Sequence, residues 1–239
     1  MARLACIHHL EQPFLAHAEA PLRRAGVTVE EWFLPRGDAL PALEDVDGII
    51  SFGGSQSVVD IEHDRALRDE AQLLGEAVAA GVPVLGVCLG GQLLAHALGA
   101  AVRRAPRRTV AWVELAPLPA AAADPVFSGL GSPVAGVHWN EDVFALPGGA
   151  TELLTGASPG VAAFRAGERA WGVQFHPEVD AAALDGWYAN YGSWLLQAGV
   201  DEARARAADA RHLPGQAETA DRLFGAFARV VADFAVARR

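Results

Sequence analysis

The stretch Val82-Pro83-Val84-Leu85-Gly86-Val87-Cys88-Leu89-Gly90-Gly91-Gln92 decides how this chain is read. Val82 to Val87 is almost continuously apolar, the pattern of a strand covered on both faces. Gly86, Cys88 and Gly90 form Gly-x-Cys-x-Gly, a nucleophile elbow with Cys in place of Ser. Such an elbow holds its reactive side chain on a strained strand-to-helix turn, and the flanking glycines let the backbone bend and pack closely. A helix predicted over Gly91 to Leu98 aims its N-terminus at the sulfur, where the dipole favours the thiolate. Taken alone, a small buried Cys at a tight turn satisfies the same pattern.

A second stretch completes the chemistry. Trp171-Gly172-Val173-Gln174-Phe175-His176-Pro177-Glu178 reads as a strand running into a stiffened turn. His176 would stand at the carboxyl edge of the sheet, where Cys88 also stands and where open α/β sheets carry their sites. Glu178, two residues on, can fold back onto the imidazole. A Cys nucleophile needs a base and the base needs an orienting carboxylate, so the three residues point to acyl transfer through a thioester. Gly53-Gly54 ends another strand, and its backbone N–H groups, with that of Leu89, would form an oxyanion hole.

Outward from these motifs the chain alternates strand and helix. Strands are predicted at Leu4 to His8, Val27 to Leu34, Val46 to Phe52 and Val82 to Val87, with helices at Pro13 to Ala25 and His63 to Ala80, the latter closed by Gly81. That order implies right-handed crossovers and a mostly parallel sheet with helices on both faces. After Gly99 the strands Ala111 to Leu115, Val134 to Trp139, Val161 to Arg165 and Ala170 to Phe175 follow without long helices, which implies a small antiparallel or mixed extension. From Ala181 the chain is helical, and the last predicted helix, Ala217 to Val236, puts Leu223, Phe224, Phe227, Val230, Val231 and Phe234 on one face. Residues 1–239 are expected to form one domain, with about 181–239 as a helical tail packed on it.

Composition narrows the class further. The net charge of -10 gives nucleic-acid binding little support, since that binding is led by clustered positive charge. The basic run Arg103-Arg104-Ala105-Pro106-Arg107-Arg108 is read as a solvated loop. Two cysteines make no disulfide framework, and neither has metal-ligand spacing; no metal and no cofactor is expected. Glu62-His63-Asp64 is read as a solvated helix start, Cys6 as an inert core thiol and His96 as packing, while His8-His9 is a secondary candidate for the pocket. No signal peptide and no membrane span is visible, so a reduced cytoplasm is expected.

These residues resemble the class I, or triad, glutamine amidotransferases, and in particular a stand-alone subgroup similar to the amidotransferase domain of GMP synthase. The matching pieces are Gly53-Gly54 with Ser57-Val58, the elbow around Cys88, Gly172 to Glu178, Asp124-Pro125-Val126-Phe127 and the helical tail. The resemblance implies a flavodoxin-like sheet and hydrolysis of glutamine to glutamate and ammonia. Cys88 would attack the amide, His176 would move the proton, Glu178 would orient His176, and Leu89 and Gly54 would hold the oxyanion. Gln92, with Gly53, would help seat the glutamyl group. One stretch departs from the subgroup: Trp139-Asn140-Glu141-Asp142 replaces its usual Trp-His-Gly-Asp, an amide and a carboxylate in place of an imidazole and a glycine, which bears on the pocket wall, the acyl acceptor or the partner contact and not on the triad. Arg103, Arg104, Arg107 and Arg108 are the clustered cations that would offset Glu141. No ATP-using half is visible, so the expected partner is a small γ-glutamyl substrate, which the chain either hydrolyses by itself or hydrolyses to pass ammonia to a separate synthetase or acceptor subunit. A γ-glutamyl peptidase or hydrolase of larger substrates is the alternative within the same chemistry, and a silent regulatory or scaffold subunit the alternative outside it.

Overall fold

The computed structural model describes residues 1–11, 15–156 and 160–239. Its strands are β1 (Arg3–His8), β2 (Thr28–Phe33), β3 (Gly48–Ser51), β4 (Val84–Val87), β5 (Val102–Pro117), β6 (Val134–Phe144), β7 (Thr151–Gly156), β8 (Ala163–Ala166) and β9 (Ala170–Val173). They form one sheet in the order β2-β1-β3-β4-β9-β8-β7-β5-β6. The first five strands of that order pair in parallel. The remaining pairings are antiparallel. The parallel half has the flavodoxin-like order.

The helices are α1 (Glu19–Arg24), α2 (Arg65–Ala79), α3 (Leu89–Ala97), α4 (Ala181–Asn190), α5 (Gly192–Gln197) and α6 (Glu202–Ala237). Successive strand residues feed opposite faces, as the pleat requires. Leu4, Cys6, Ile50 and Leu85 join Leu22 of α1 and Leu223, Phe224 and Phe227 of α6 in one buried cluster. Ala5, Ile7, Ile49 and Val84 join Leu67 and Leu74 of α2 and Leu93 of α3 in the other. Both faces of the inner parallel strands are therefore apolar, which is why β3 and β4 read as unbroken hydrophobic runs, whereas the edge strand β2 carries Glu30 and Glu31. Burial of each α6 phenyl ring contributes about 1.5–3 kcal/mol, so the tail is part of the core.

A third cluster lies at the antiparallel end, where Val137 of β6 meets Ala183, Leu184 and Tyr188 of α4 and Leu195 of α5. Asp209 of α6 ties this region together by accepting from Trp112 Nε1 and Tyr188 Oη, both at 2.8 Å.

Several sequence expectations need correction. The basic run is not a loop: Arg103 to Arg108 lies within β5, which pairs with β6 through an irregular register between Arg104 and Thr109. Long exposed side chains suit such an edge-like ribbon, and the carboxylates of the facing strand hold two of the arginines. β7 was not predicted at all, because Thr151-Glu152-Leu153-Leu154 is short and lacks strict alternation. The helix predicted from Pro13 falls partly outside the described residues and continues as a 3₁₀ turn at Ala16–Ala18 before α1. The last helix is longer than predicted and runs through Pro214. His96 is exposed on α3 rather than packed. Asp64 caps α2 by accepting from Leu67 N at 3.1 Å, as a helix-start reading of Glu62-His63-Asp64 requires. Among the described residues no helix is long and apolar enough to cross a membrane. No cluster of three or more His, Cys, Asp or Glu among them could hold a metal ion.

Candidate active site

β4 and β9 lie side by side, with Val87 opposite Val173, so their carboxyl ends deliver Cys88 and His176 to one place. Cys88 has φ 52° and ψ -106°, a left-handed conformation that costs a non-glycine residue about 1–3 kcal/mol. Its surroundings over-determine it. Its N–H donates to Val173 O at 2.8 Å, and its carbonyl accepts from Gln92 N at 2.9 Å. The neighbouring glycines are required by close backbone approach. A Cβ on Gly86 would lie 2.4 Å from Gly90 O, one on Gly90 2.1 Å from Ser51 O, and one on Gly91 2.6 Å from Val173 O.

His176 is fixed at both backbone groups. Its N–H donates to Val137 O at 2.8 Å, and its carbonyl accepts from the Gln216 side chain of α6 at 2.8 Å. Its Nδ1 is 2.7 Å from Glu178 Oε1. Glu178 is fixed in turn, its carbonyl accepting from His17 N at 2.9 Å. Burial alone would lower the imidazole's pKa, but the Glu178 carboxylate and the Cys88 sulfur together push it up to about 10. The same two neighbours favour the protonated ring, which lies next to the sulfur at the N-terminus of α3.

Gly53 and Gly54 are adjacent to this pair. A Cβ on Gly53 would come within 2.6 Å of His176 Cε1 and 3.6 Å of Cys88 Cβ. One on Gly54 would meet His9 Cβ at 2.5 Å and Leu89 Cδ2 at 2.8 Å. Leu89 is the first residue of α3, so its N–H has no intrahelical acceptor. The structure therefore brings together all seven residues singled out in the sequence. Gln92 is part of the group, but its amide nitrogen is already engaged, donating to Asp142 O at 3.0 Å and lying 3.4 Å from Gln174 Oε1.

Sequence reasoning missed several neighbours. Gln174 points its Nε2 at Cys88 Sγ, 3.7 Å away; it lies inside the quoted strand motif, and its position one strand over from the elbow was the available signal. Gln216 had none, because its contact spans forty residues of sequence. The departing segment is also resolved. Asn140 Nδ2 donates to Asp142 O at 3.0 Å, and Ser57 Oγ donates to Asp142 Oδ2. Glu141 pairs with Arg108 at 2.7 Å and also with Arg104, so the cations expected to offset it do so through these two members of the run.

Cys88, His176 and the glycines open onto a cavity of about 300 Å³. Its far side is aromatic, with Trp139 from β6, Trp187 from α4, and Tyr191 and Trp194 beyond. His8 and His9 also line it. His9 is bonded to buried Glu70 at 2.6 Å, and Glu70 accepts from Ser51 Oγ at 2.6 Å. Burial pulls the His9 pKa down and Glu70 pulls it up, and the net direction is up.

A flavodoxin-like sheet with a cysteine elbow beside a histidine–carboxylate pair defines the class of protein. Residues 17–189 match the family described as glutamine amidotransferase class-I, and the chain belongs to that family. A glutamine amidotransferase-like protein of Salmonella typhimurium is 31% identical over 165 residues, covering 67% of this chain and 69% of that protein. The glutamine-hydrolysing GMP synthase of Thermomicrobium roseum is 39% identical over 137 residues, which cover 55% of this chain but 23% of the synthase. That of Aeropyrum pernix is 35% identical over 66% of this chain and 29% of its own length, so this chain spans under a third of these two synthases. The solved structure of a glutamine amidotransferase from Thermotoga maritima matches with TM-score 0.83 at 26% identity, covering 96% of this chain and 98% of that one.

Proposed function

We propose that the chain hydrolyses a γ-glutamyl amide through a thioester on Cys88. The observation that carries this reading is the Cys88–His176–Glu178 arrangement, with the Cys88 backbone strained and the His176 backbone tied at both ends. Family membership and the likeness to glutamine-hydrolysing synthases supply the acyl group.

The sulfur attacks the γ-carbonyl carbon, and the oxygen takes up charge facing the N–H groups of Leu89 and Gly54. His176 delivers a proton to the leaving nitrogen as the C–N bond breaks, leaving a glutamyl thioester. The neutral imidazole then draws a proton from water, which attacks the thioester, and glutamate leaves as the thiol is restored. Glu178 holds the ring and offsets its charge when it is protonated. The net reaction is γ-glutamyl amide plus water to glutamate plus amine, or ammonia when the substrate is glutamine. The likeness to part of GMP synthases supports a second step, transfer of released ammonia to a separate synthetase.

The test is glutamate release from glutamine and from N-substituted γ-glutamyl amides, with hydroxylamine added to trap the thioester as a hydroxamate. Hydroxamate formation that vanishes in Cys88→Ala is expected. Glutamate release that persists in Cys88→Ala sinks the reading.

A further inference from the structure

Ammonia has no substituent, yet the cavity provides for one. The leaving nitrogen must lie beside His176, which protonates it. The ring of Trp187 stands edge-on to His176, with centroids 4.8 Å apart. Trp139 packs against Trp187 at 5.3 Å and lies nearly parallel to Trp194 at 6.0 Å. These rings, with Tyr191, make an aromatic wall of the cavity that reaches the proton donor. Trp187 Nε1 is buried without a hydrogen-bond partner, a donor that a ligand acceptor would satisfy.

Charge selects among substituents. The carboxylates lining the cavity are Glu141, Asp142 and Glu178. Glu141 is paired by Arg104 and Arg108, Asp142 by Ser57 and Arg104, and Glu178 by His176. Each carboxylate thus has a cationic partner and none stands as an uncompensated charge for a polyamine tail, though Asp142 Oδ1 and Glu178 Oε2 accept no hydrogen bond. Among the described residues no Arg or Lys lines the cavity, so nothing there receives the second carboxylate of a γ-glutamyl amino acid. The Arg108 guanidinium lies 5.2 Å from the Trp194 ring centre and is paired with Glu141, so the charges beside the wall compensate each other, and its flat aromatic surface fits a neutral, flat, aromatic group.

We infer that the substrate class is a γ-glutamyl amide of an aromatic amine, whose ring lies on Trp139, Trp187 and Trp194 while Cys88 attacks the γ-carbonyl. This rests on the γ-glutamyl amidase reading above. Cleavage is balanced as in that reaction: the C–N bond breaks, His176 protonates the departing arylamine, and water converts the thioester to glutamate.

The experiment compares kcat/KM for γ-glutamylanilide, γ-glutamylputrescine, γ-glutamylglycine and glutamine on the wild-type chain, then on Trp194→Ala and Trp194→Phe. The anilide is expected to lead the panel by at least about tenfold. The anilide-to-glutamine ratio should fall about tenfold in Trp194→Ala and recover most of the way in Trp194→Phe, since discrimination by one apolar contact is of about that size. Taking the ratio between variants removes the intrinsic lability of the anilide. A wild-type preference for the putrescine or glycine conjugate, or a ratio that Trp194→Ala leaves unmoved, overturns the substrate assignment while Cys88-dependent hydrolysis stands. Absence of Cys88-dependent release from all four compounds overturns the amidase reading and this inference with it.

Discussion

Two buried histidine–carboxylate pairs flank Gly53-Gly54, and they use the same residue types to opposite ends. In one, His176 Nδ1 meets Glu178 at 2.7 Å and its ring lies beside the Cys88 sulfur. In the other, His9 Nε2 meets Glu70 at 2.6 Å, and Ser51 stands next in line. Serine, histidine and glutamate are all there, but the order is wrong for nucleophilic attack. The carboxylate lies between the hydroxyl and the imidazole, so Ser51 Oγ donates to Glu70 and no base faces it. Ser51 and Glu70 are fully buried, and the strand that carries Ser51 ends against Gly90. The first pair is tied down beside the strained backbone of Cys88; the second is a polar strut that links the end of β1 to β3 and α2. An inventory of residue types cannot separate the two, whereas the sequence of hydrogen bonds can.

The comparison breaks hardest at Cys88. Cys88→Ala and His176→Ala are each expected to cost on the order of 10⁴-fold or more in kcat, and the double variant no more than either alone, because the pair acts as a unit. Steady-state rates decide it; losses that multiply in the double would separate the two roles. Ser51→Ala, by contrast, should leave Cys88 as the thiol that iodoacetamide labels first, and mass spectrometry of the labelled peptides reads this directly. Cys6, buried in β1 with its pKa pushed far up by burial, should stay unlabelled in both.

The strut is broken by Glu70→Ala. Removing one member of a buried pair is expected to lower unfolding free energy by about 3 kcal/mol, read as a shift of the urea midpoint. Protein that remains folded should still label at Cys88. If folded Glu70→Ala loses labelling while its midpoint stays put, the second pair belongs to the chemistry and the contrast collapses.

A third imidazole sharpens the point with a smaller effect. His138 neighbours His176 but has no carboxylate, and neither ring nitrogen has a well-formed hydrogen bond. Burial first, then the His176 cation, push its pKa down to about 4, with Asn140 opposing. The unfolded chain takes up this proton near pH 6.5, so the contribution of neutral His138 is present above that pH and is lost as pH falls toward 4. His138→Leu should flatten this part of the stability profile and add about 1 kcal/mol at neutral pH, since a buried polar ring without partners is replaced by an apolar one. Thermal melts from pH 7 to 4 would show it; an unchanged slope rules His138 out as its source.

The legibility of the sequence follows the same division. The parallel half was readable because β1, β3 and β4 are short apolar runs, with Gly53-Gly54 closing the third predicted strand, and the elbow and the His-Pro-Glu turn are local words of eight residues or fewer. Strand boundaries there moved by only a few residues. The antiparallel end was poorly readable. Arg103 to Arg108 looks like a loop because its charges come in pairs around Ala105-Pro106 with no strand alternation, whereas it pairs with β6, whose Glu141 and Asp142 engage its arginines. The aromatic wall was invisible as a unit. Trp139, Trp187 and Trp194 are scattered along the chain and are gathered by the packing of α4 and α5 on β6. The Ser51–Glu70–His9 strut joins residues from three elements and leaves no local trace.

Gln216 gives the molecule a timetable. The nucleophile at position 88 and its base at position 176 are joined by the ribosome well before residue 216, whose side chain grips the carbonyl of that base. Leu223, Phe224 and Phe227, which seat the same helix under the sheet, come later still. Domains fold as units, so the turn that carries position 176 gains its last tether only after the final helix has been made and packed under the sheet.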